Sequence, residues 1–465
     1  MQSQSTVNAA FDATPWIGDF HELTTAMASH YADLEWALND RRIDLPKLRQ
    51  ATEDSLRRCD SDQCARHELK KFLDAFGDGH LSIAWTNVSA QSNVEAEADW
   101  SLCGRLGYKA PVSPGIDFSL LPGFAAADGE GSKLFSGGLL TLPSGARLGL
   151  IRIPSFSEHA FPEECERTIR EMHLTDESKC DKKCEQAIEL ETANRLTAAL
   201  VMRSVQLRGM GASALLVDVT RNDGGSDWNE AVLRSLSSVP LAEDRRGFIK
   251  NVHWTTELQT QLHGVEADLK SGAEPKVVLE EAATRLRLAI AQSKESCDRS
   301  RVFYDGRLDC SLVVGDLLFW SGVLPYAKPG SFASLGSRTT LFHPLRYEYS
   351  EDAHRLPLYV VVDRHTWSSA ERFASLLQDN AAATIIGELT GGAGCGFTNG
   401  GIPTTLTYSH AQVRMPDCVG FRKDGSNGND GVTPDILVPW AERDTLFAKA
   451  NKLLRALNKA VKKND

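Results

Sequence analysis

Three short segments carry side chains whose types and spacing could do chemistry. The first is Asp218-Val219-Thr220-Arg221-Asn222-Asp223-Gly224-Gly225, which follows an apolar run. Its paired glycines let the backbone turn sharply and present N–H groups outward, as an oxyanion site requires. A plain strand-to-helix turn would use the same residues. The second is Asp363-Arg364-His365-Thr366-Trp367-Ser368-Ser369-Ala370-Glu371. A serine at a helix N-terminus sits at the positive end of the dipole, where free N–H groups stabilise developing negative charge. Ser368 and Glu371 also fit a capping box, in which the hydroxyl only satisfies a backbone donor. The third is Gly77-Asp78-Gly79-His80, whose histidine is either a base or a structural residue. Each segment has an ordinary structural reading, and only their joint occurrence favours chemistry.

The elements that must position these segments follow from periodicity. Phe20, Leu23, Met27, Tyr31, Leu34 and Leu38 recur at spacings of three and four, the stripe of an amphipathic helix. Two further helical stretches, near 45–57 and 62–76, complete an N-terminal helical lobe over 15–84 that ends at His80. Residues 85–145 are rich in Gly, Pro and Ser and read as an irregular linking segment with short strands. An alternating strand, Leu148 to Ile153, opens a core over 146–450. A long helix from about Asp181 to Leu207 ends at Gly209 and Gly211. The continuous apolar run Ala214 to Val219 reads as a strand buried on both faces. Strand Leu358 to Val362, helix Glu371 to Asp379 and strand Thr384 to Gly387 continue the pattern. Between them lies an insertion at about 240–345, read as helical from Leu279, Ala283, Leu286 and Ile290. The fold class is α/β, a helical lobe leading into a layered sheet-and-helix core.

Composition narrows the function. With 51 Lys and Arg against 62 Asp and Glu the formal charge is −11, and no basic stripe is present, which disfavours nucleic acid or an anionic membrane as partner. The longest apolar runs are strand-length, far short of the roughly 20 residues that cross a bilayer. Ten cysteines include the close local pairs Cys59/Cys64, Cys180/Cys184, Cys297/Cys310 and Cys395/Cys418, leaving Cys103 and Cys165 as a fifth possible pair. Zinc is the rival reading, but no two CxxC pairs and no Cys/His cluster at finger spacing occur. Disulfides imply an oxidising, extracytoplasmic compartment, secreted or periplasmic. The start, Met1-Gln2-Ser3-Gln4-Ser5, has no signal-peptide pattern, so a signal peptide is expected to have been trimmed. Nothing in the sequence specifies an oligomeric state.

Taken together, several features resemble the C-terminal processing (tail-specific) protease family. They are the Gly-Gly turn after a buried strand, Thr366-x-Ser368-x-x-Glu371 between strand and helix, Gln378-Asp379, Gly387-Glu388 and Gly431-Val432-Thr433-Pro434-Asp435. They come in the family's order and spacing over roughly residues 145–445, and Gly77–His80 extends the match upstream. The resemblance implies a crotonase-like ββα core, hydrolysis of peptide bonds, Ser368 as nucleophile, and an oxyanion hole from the backbone N–H of Ser369 and of Gly224 or Gly225.

The departures are informative. The Ser–Lys branch carries its lysine at the place of Ala393, and no lysine appears before Lys423. The sequence is closer to the tricorn-like branch, in which an upstream histidine is the base, and His80 takes that place. That pattern's serine before the histidine is Gly79 here, and its glutamate before the Gly-Val motif is Gly428. Asp430 is the nearest carboxylate and the candidate relay. No segment reads as a peptide-docking PDZ module.

The expected reaction is acyl transfer on a protein or peptide substrate, with no cofactor and no metal required. Cys395 is a rival nucleophile, with a disulfide to Cys418 as the alternative, and His365 is the next candidate base. Four glycines between Gly391 and Gly396 make that loop mobile by composition. Two other classes share the fold: an inactive binding module, as in the retinoid-binding modules of photoreceptor matrix protein, and an acyl-CoA enzyme, which a disulfide-rich exported chain disfavours.

Overall fold

The strand Ala214–Asp218 is the middle of seven, and all five of its residues are buried. In this computed structural model, which describes residues 11–85, 101–111, 115–129, 131–353, 355–396 and 403–461, the strands Arg147–Arg152, Ala214–Asp218, Leu358–Val362, Thr384–Gly387 and Ile436–Leu437 run parallel. Strands Phe124–Ala126 and Gly137–Thr141 add an antiparallel edge beyond Arg147–Arg152. Helices Lys182–Gly209, Asn229–Leu236 and Ser369–Asp379 cover one face, and helix Leu446–Val461 covers the other. Burial on both faces explains why the central strands are unbroken Val, Leu and Ile runs rather than alternating ones. The sheet register pairs Asp218 with Arg152 and with Val361, so three C-terminal strand ends meet at one edge. The Gly224–Gly225 turn and the Ser368 segment both emerge there, the edge at which open parallel sheets place their sites.

The N-terminal apolar stripe forms two helices rather than one, Thr14–His30 and Leu34–Asn39. Tyr31 breaks the run in an extended conformation, yet Tyr31 and Leu34 stay fully buried, so the spacing persists across the break. Helices Leu45–Leu56 and Asp62–Asp74 follow and lead into His80. The core around these helices also takes Val302, Phe303, Leu406 and Val413 from far along the chain. Directly after His80, strand Ser82–Ala84 pairs antiparallel with Gln412–Arg414, which fixes the histidine segment against the C-terminal half. The reading of residues 86–100 and of the first ten residues falls outside the described part of the chain.

The insertion is not wholly helical. It holds the helical hairpin Val252–Lys270 and Lys276–Ser293 but also strands Arg245–Ile249 and Val313–Phe319, which form a three-stranded antiparallel sheet with Cys418–Gly420. These strands lack a period-two signal because Gly247 and Gly315 stand where the ring of Phe421 packs. Among the described residues, no helix is long and apolar enough to cross a membrane.

Candidate active site

Thr366 prepares the segment that carries Ser368. Fully buried, its hydroxyl donates to the Val219 carbonyl at 3.0 Å and accepts the Asp363 N–H at 3.0 Å, which clamps the turn onto the central strand. Asn222 completes the clamp by accepting the Trp367 N–H on its carbonyl at 3.0 Å and the Gly224 N–H on Oδ1 at 2.8 Å. Ser368 then adopts φ 52° and ψ −122°, a left-handed conformation that its surroundings must hold in place. The capping-box relation to Glu371 is present, with Glu371 Oε2 accepting the Ser368 N–H at 3.1 Å.

The capping role leaves the Ser368 hydroxyl within reach of a histidine. Ser368 Oγ lies 3.2 Å from His80 Nε2, across 288 residues of chain. Asp78 holds the backbone at His80, its Oδ1 accepting the His80 main-chain N–H at 2.9 Å. Asp78 is buried and also takes the Tyr31 hydroxyl at 2.9 Å and Asn429 Nδ2 at 3.4 Å. Burial pushes its carboxyl up to about 6, and burial raises neighbouring Asp33 as well. Burial holds the His80 imidazole below its ordinary value, which favours the neutral form a base needs. Nδ1 of His80 is buried and has no hydrogen-bond partner among the described residues. Asp430, the carboxylate proposed to sit behind the histidine, instead accepts the Trp36 indole N–H at 2.8 Å.

The glycine-rich loop is held rather than mobile. Glu371 accepts the N–H groups of Gly392 and Ala393, each at 2.7 Å, and the Thr390 hydroxyl. Asn429 Oδ1 accepts the Gly394 N–H at 2.5 Å, and Cys395 is bonded to Cys418. The glycines are there for space. A Cβ on Gly391 would strike the Trp367 ring, one on Gly394 would meet Asn429, and one on Gly396 would sit 3.4 Å from the His80 ring. All ten cysteines are in disulfides, including Cys103–Cys165, so Cys395 is not a free thiol. Among the described residues, no group of three or more His, Cys, Asp or Glu could hold a metal.

Of the two candidate oxyanion glycines, Gly224 has its N–H engaged by Asn222. Gly225 and Ser369, the first residue of its helix and so lacking an intrahelical acceptor, line the cleft with Ser368 and His80. That cleft has a volume of about 920 Å³ and is bounded on its far side by Arg246, Trp254 and Trp320 of the insertion. His365 lines a separate cavity of about 370 Å³. Ala393 lines the main cleft, whereas Lys423 donates to the Asp379 carbonyl elsewhere.

The family model for peptidase family S41 matches residues 147–438, from the first core strand to the last. The chain belongs to peptidase family S41. A curated protein of Chlamydia trachomatis serovar D is 25% identical over 267 residues, which is 55% of this S41 chain and 39% of that relative, so the chain spans about two-fifths of the relative's length. Mature CPAF complexed with lactacystin superposes with a TM-score of 0.58 over 97% of this chain and 99% of that one, at 15% identity. A second structure of mature CPAF gives 0.59 over 97% of both chains at 15% identity. At such identity the likeness is one of fold, and it includes the helices ahead of the family match.

Sequence reasoning about this S41 chain passed over Asn222 and Asn429, which tie the Gly-Gly turn, Asp78 and the glycine-rich loop together. Their signal was position alone. Asn222 lies two residues before Gly224, where an Asn side chain reaches its own backbone two residues on. Asn429 lies two before the Gly-Val-Thr-Pro-Asp motif.

Proposed function

We propose that this chain is a serine endopeptidase or carboxyl-terminal processing protease that cleaves proteins or peptides by acyl transfer, using Ser368 and His80. The observation that carries the reading is the 3.2 Å approach of His80 Nε2 to Ser368 Oγ at a helix N-terminus. Neutral His80 takes the Ser368 proton on Nε2, and Oγ attacks the peptide carbonyl. The N–H groups of Ser369 and Gly225 receive the oxyanion as it forms. His80 returns the proton to the leaving amine as the C–N bond breaks, and water then hydrolyses the acyl-serine by the same route. The branch is Ser–His rather than Ser–Lys, since Ala393 stands where a lysine would be needed. Five disulfides support a secreted or periplasmic site of action.

One observation favours the alternative of an inactive binding module. A neutral His80 that accepts on Nε2 carries its proton on Nδ1, and that atom has no acceptor among the described residues. A fluorophosphonate probe separates the two. Labelling of the wild type that is lost in Ser368→Ala and strongly slowed in His80→Ala supports the peptidase. No labelling of the folded wild type rejects it in favour of the binding module.

A further inference from the structure

The cleft is lined by a cation, Arg246, that forms no ion pair among the described residues. Arg246 lies in the central strand of the insertion sheet, opposite Leu318 on one side and Gly420 on the other. Its guanidinium is clamped between two indoles, 5.1 Å from the Trp254 ring centroid and 5.2 Å from that of Trp320. The clamp is itself fixed, since Trp254 Nε1 donates to the Asp417 carbonyl at 3.0 Å and Gly420 leaves room for the Trp320 ring. A planar guanidinium held this way loses little freedom when it binds a carboxylate.

Its donors are almost all unused. A guanidinium carries five N–H donors, and among the described residues the one hydrogen bond of the Arg246 side chain runs from Nη2 to Cys418 Sγ at 3.8 Å. Nε is buried without a partner. Asp227, Asp417 and Glu230 act on Arg246 through space, but no described carboxylate closes to an ion pair with it. Arg346, which also lines the cleft, has no ion pair among the described residues either, but it lies over the single ring of Tyr347 rather than between two indoles. Two other cleft arginines differ. Arg372 is paired with Glu243 and Glu230, and Arg422 with Asp379. The contact to Cys418 also locates Arg246 relative to the chemistry, because Cys418 is bonded to Cys395 and Gly396 abuts the His80 ring.

We infer that Arg246, clamped by Trp254 and Trp320, is a specificity-determining subsite that binds a carboxylate of the peptide substrate. The inference rests on the peptidase reading above and gives it a substrate class, peptides with a carboxylate within reach of the scissile bond. That carboxylate is an Asp or Glu side chain or the chain's own C-terminus, and either would form the same charge-assisted pair.

The test uses quenched fluorescent peptides with blocked ends, in which one Glu is walked along the sequence, and a matched panel with Gln in its place. A third panel compares free and amidated C-termini. At the best position the wild type should prefer the carboxylate by about tenfold or more in kcat/KM, the scale of one charge-assisted hydrogen bond. In Arg246→Gln that ratio should fall toward one, and Arg246→Lys should keep part of it. Preference in the Glu panel identifies a side chain as the source, and preference in the terminus panel identifies the C-terminus. A wild-type ratio near one in both panels overturns the inference, as does a preference that Arg246→Gln leaves intact. If Arg246→Gln fails to fold, Arg246→Lys decides, and a wild-type ratio left wholly intact in that variant overturns the inference. No cleavage of any peptide, neutral ones included, would instead sink the peptidase reading itself.

Discussion

Glu371 and Ala393 are joined by a 2.7 Å hydrogen bond from the Ala393 N–H to the carboxylate oxygen that also takes the Ser368 N–H. One buried side chain thereby sets Ser368, the proposed nucleophile, against the loop that a Ser–Lys enzyme would use for its base. The tie runs through the backbone N–H of Ala393, so it does not depend on the side chain there. The glycines around Ala393 then serve close packing against Trp367, Asn429 and His80.

Glu371→Gln should therefore impair both stability and turnover. The amide keeps one acceptor oxygen but turns an NH2 group toward backbone donors, in a site where three N–H groups and a hydroxyl converge. Leaving such groups unsatisfied costs about 2–4 kcal/mol in a buried setting. Thermal unfolding and peptide turnover measured on the same preparation check this, and a variant with unchanged melting and unchanged kcat would refute the tie.

With His80 as the proposed base, its titration should set the pH dependence. Its imidazole is held below the ordinary value of about 6.5 by burial, and only the neutral form can accept the Ser368 proton. Hydrolysis should rise with pH and level off with a midpoint below that ordinary value. The sign for stability follows. The unfolded chain protonates this histidine first as pH falls, so its contribution to stability is lost between the ordinary value and the lower folded one. His80→Ala should reduce kcat by on the order of a hundredfold or more and remove the acid limb. Near-normal turnover in His80→Ala would require another base.

Much of this was legible in the residues, for identifiable reasons. The parallel strands are unbroken apolar runs because the sheet is covered on both faces, Ser368 lies in a Thr-x-Ser-x-x-Glu run at a helix start, and His80 follows the turn glycines Gly77 and Gly79. The strands Arg245–Ile249 and Val313–Phe319 were not legible. Their glycines answer a ring at Phe421, more than a hundred residues further on, and no local pattern records that. The glycine-rich loop misled for the same reason. Composition reports what a backbone is free to do, whereas Glu371 and Asn429 decide what it does. Asp430 was reasonable by proximity in sequence, but Trp36 from the N-terminal lobe takes its carboxylate.

The Cys395–Cys418 bond should matter to turnover as well as to stability. It closes a loop of about 24 residues and so restricts the unfolded chain by roughly 3 kcal/mol in the entropic model. It also joins the loop beside His80 to the insertion sheet that walls the cleft. The Cys395→Ser/Cys418→Ser double variant should still fold, because Glu371 and Asn429 continue to hold the loop, but it should hydrolyse peptides more slowly. Unchanged kcat/KM in a folded double variant would leave the bond a stabilising role alone.

Gly224 gives the most local test of how the oxyanion side is built. Its φ of +91° already disfavours any side chain, at about 1–2 kcal/mol for a non-glycine residue. The larger obstacle is contact, for an added Cβ would fall 2.8 Å from Ser368 Cβ, 2.8 Å from Ser369 N and 2.8 Å from the Trp367 carbonyl. All three belong to the backbone or to the root of the nucleophile, so none can swing aside as a long side chain would. The Gly224 N–H is bound to Asn222, so its loss from the oxyanion site is not what the substitution tests. Gly224→Ala should displace Ser368 and lower kcat by on the order of a hundredfold, since about 1 Å of misplacement suffices for that. KM should change far less, because the substrate-binding walls on the insertion side are untouched. Asn222→Ala is the companion variant. It frees the Gly224 N–H and removes the acceptor that holds the turn, so it should lower kcat without the steric clash. A Gly224→Ala enzyme with near-normal kcat would mean that the nucleophile turn is not held by this contact, and that the left-handed conformation of Ser368 is maintained by Thr366 and Glu371 without it.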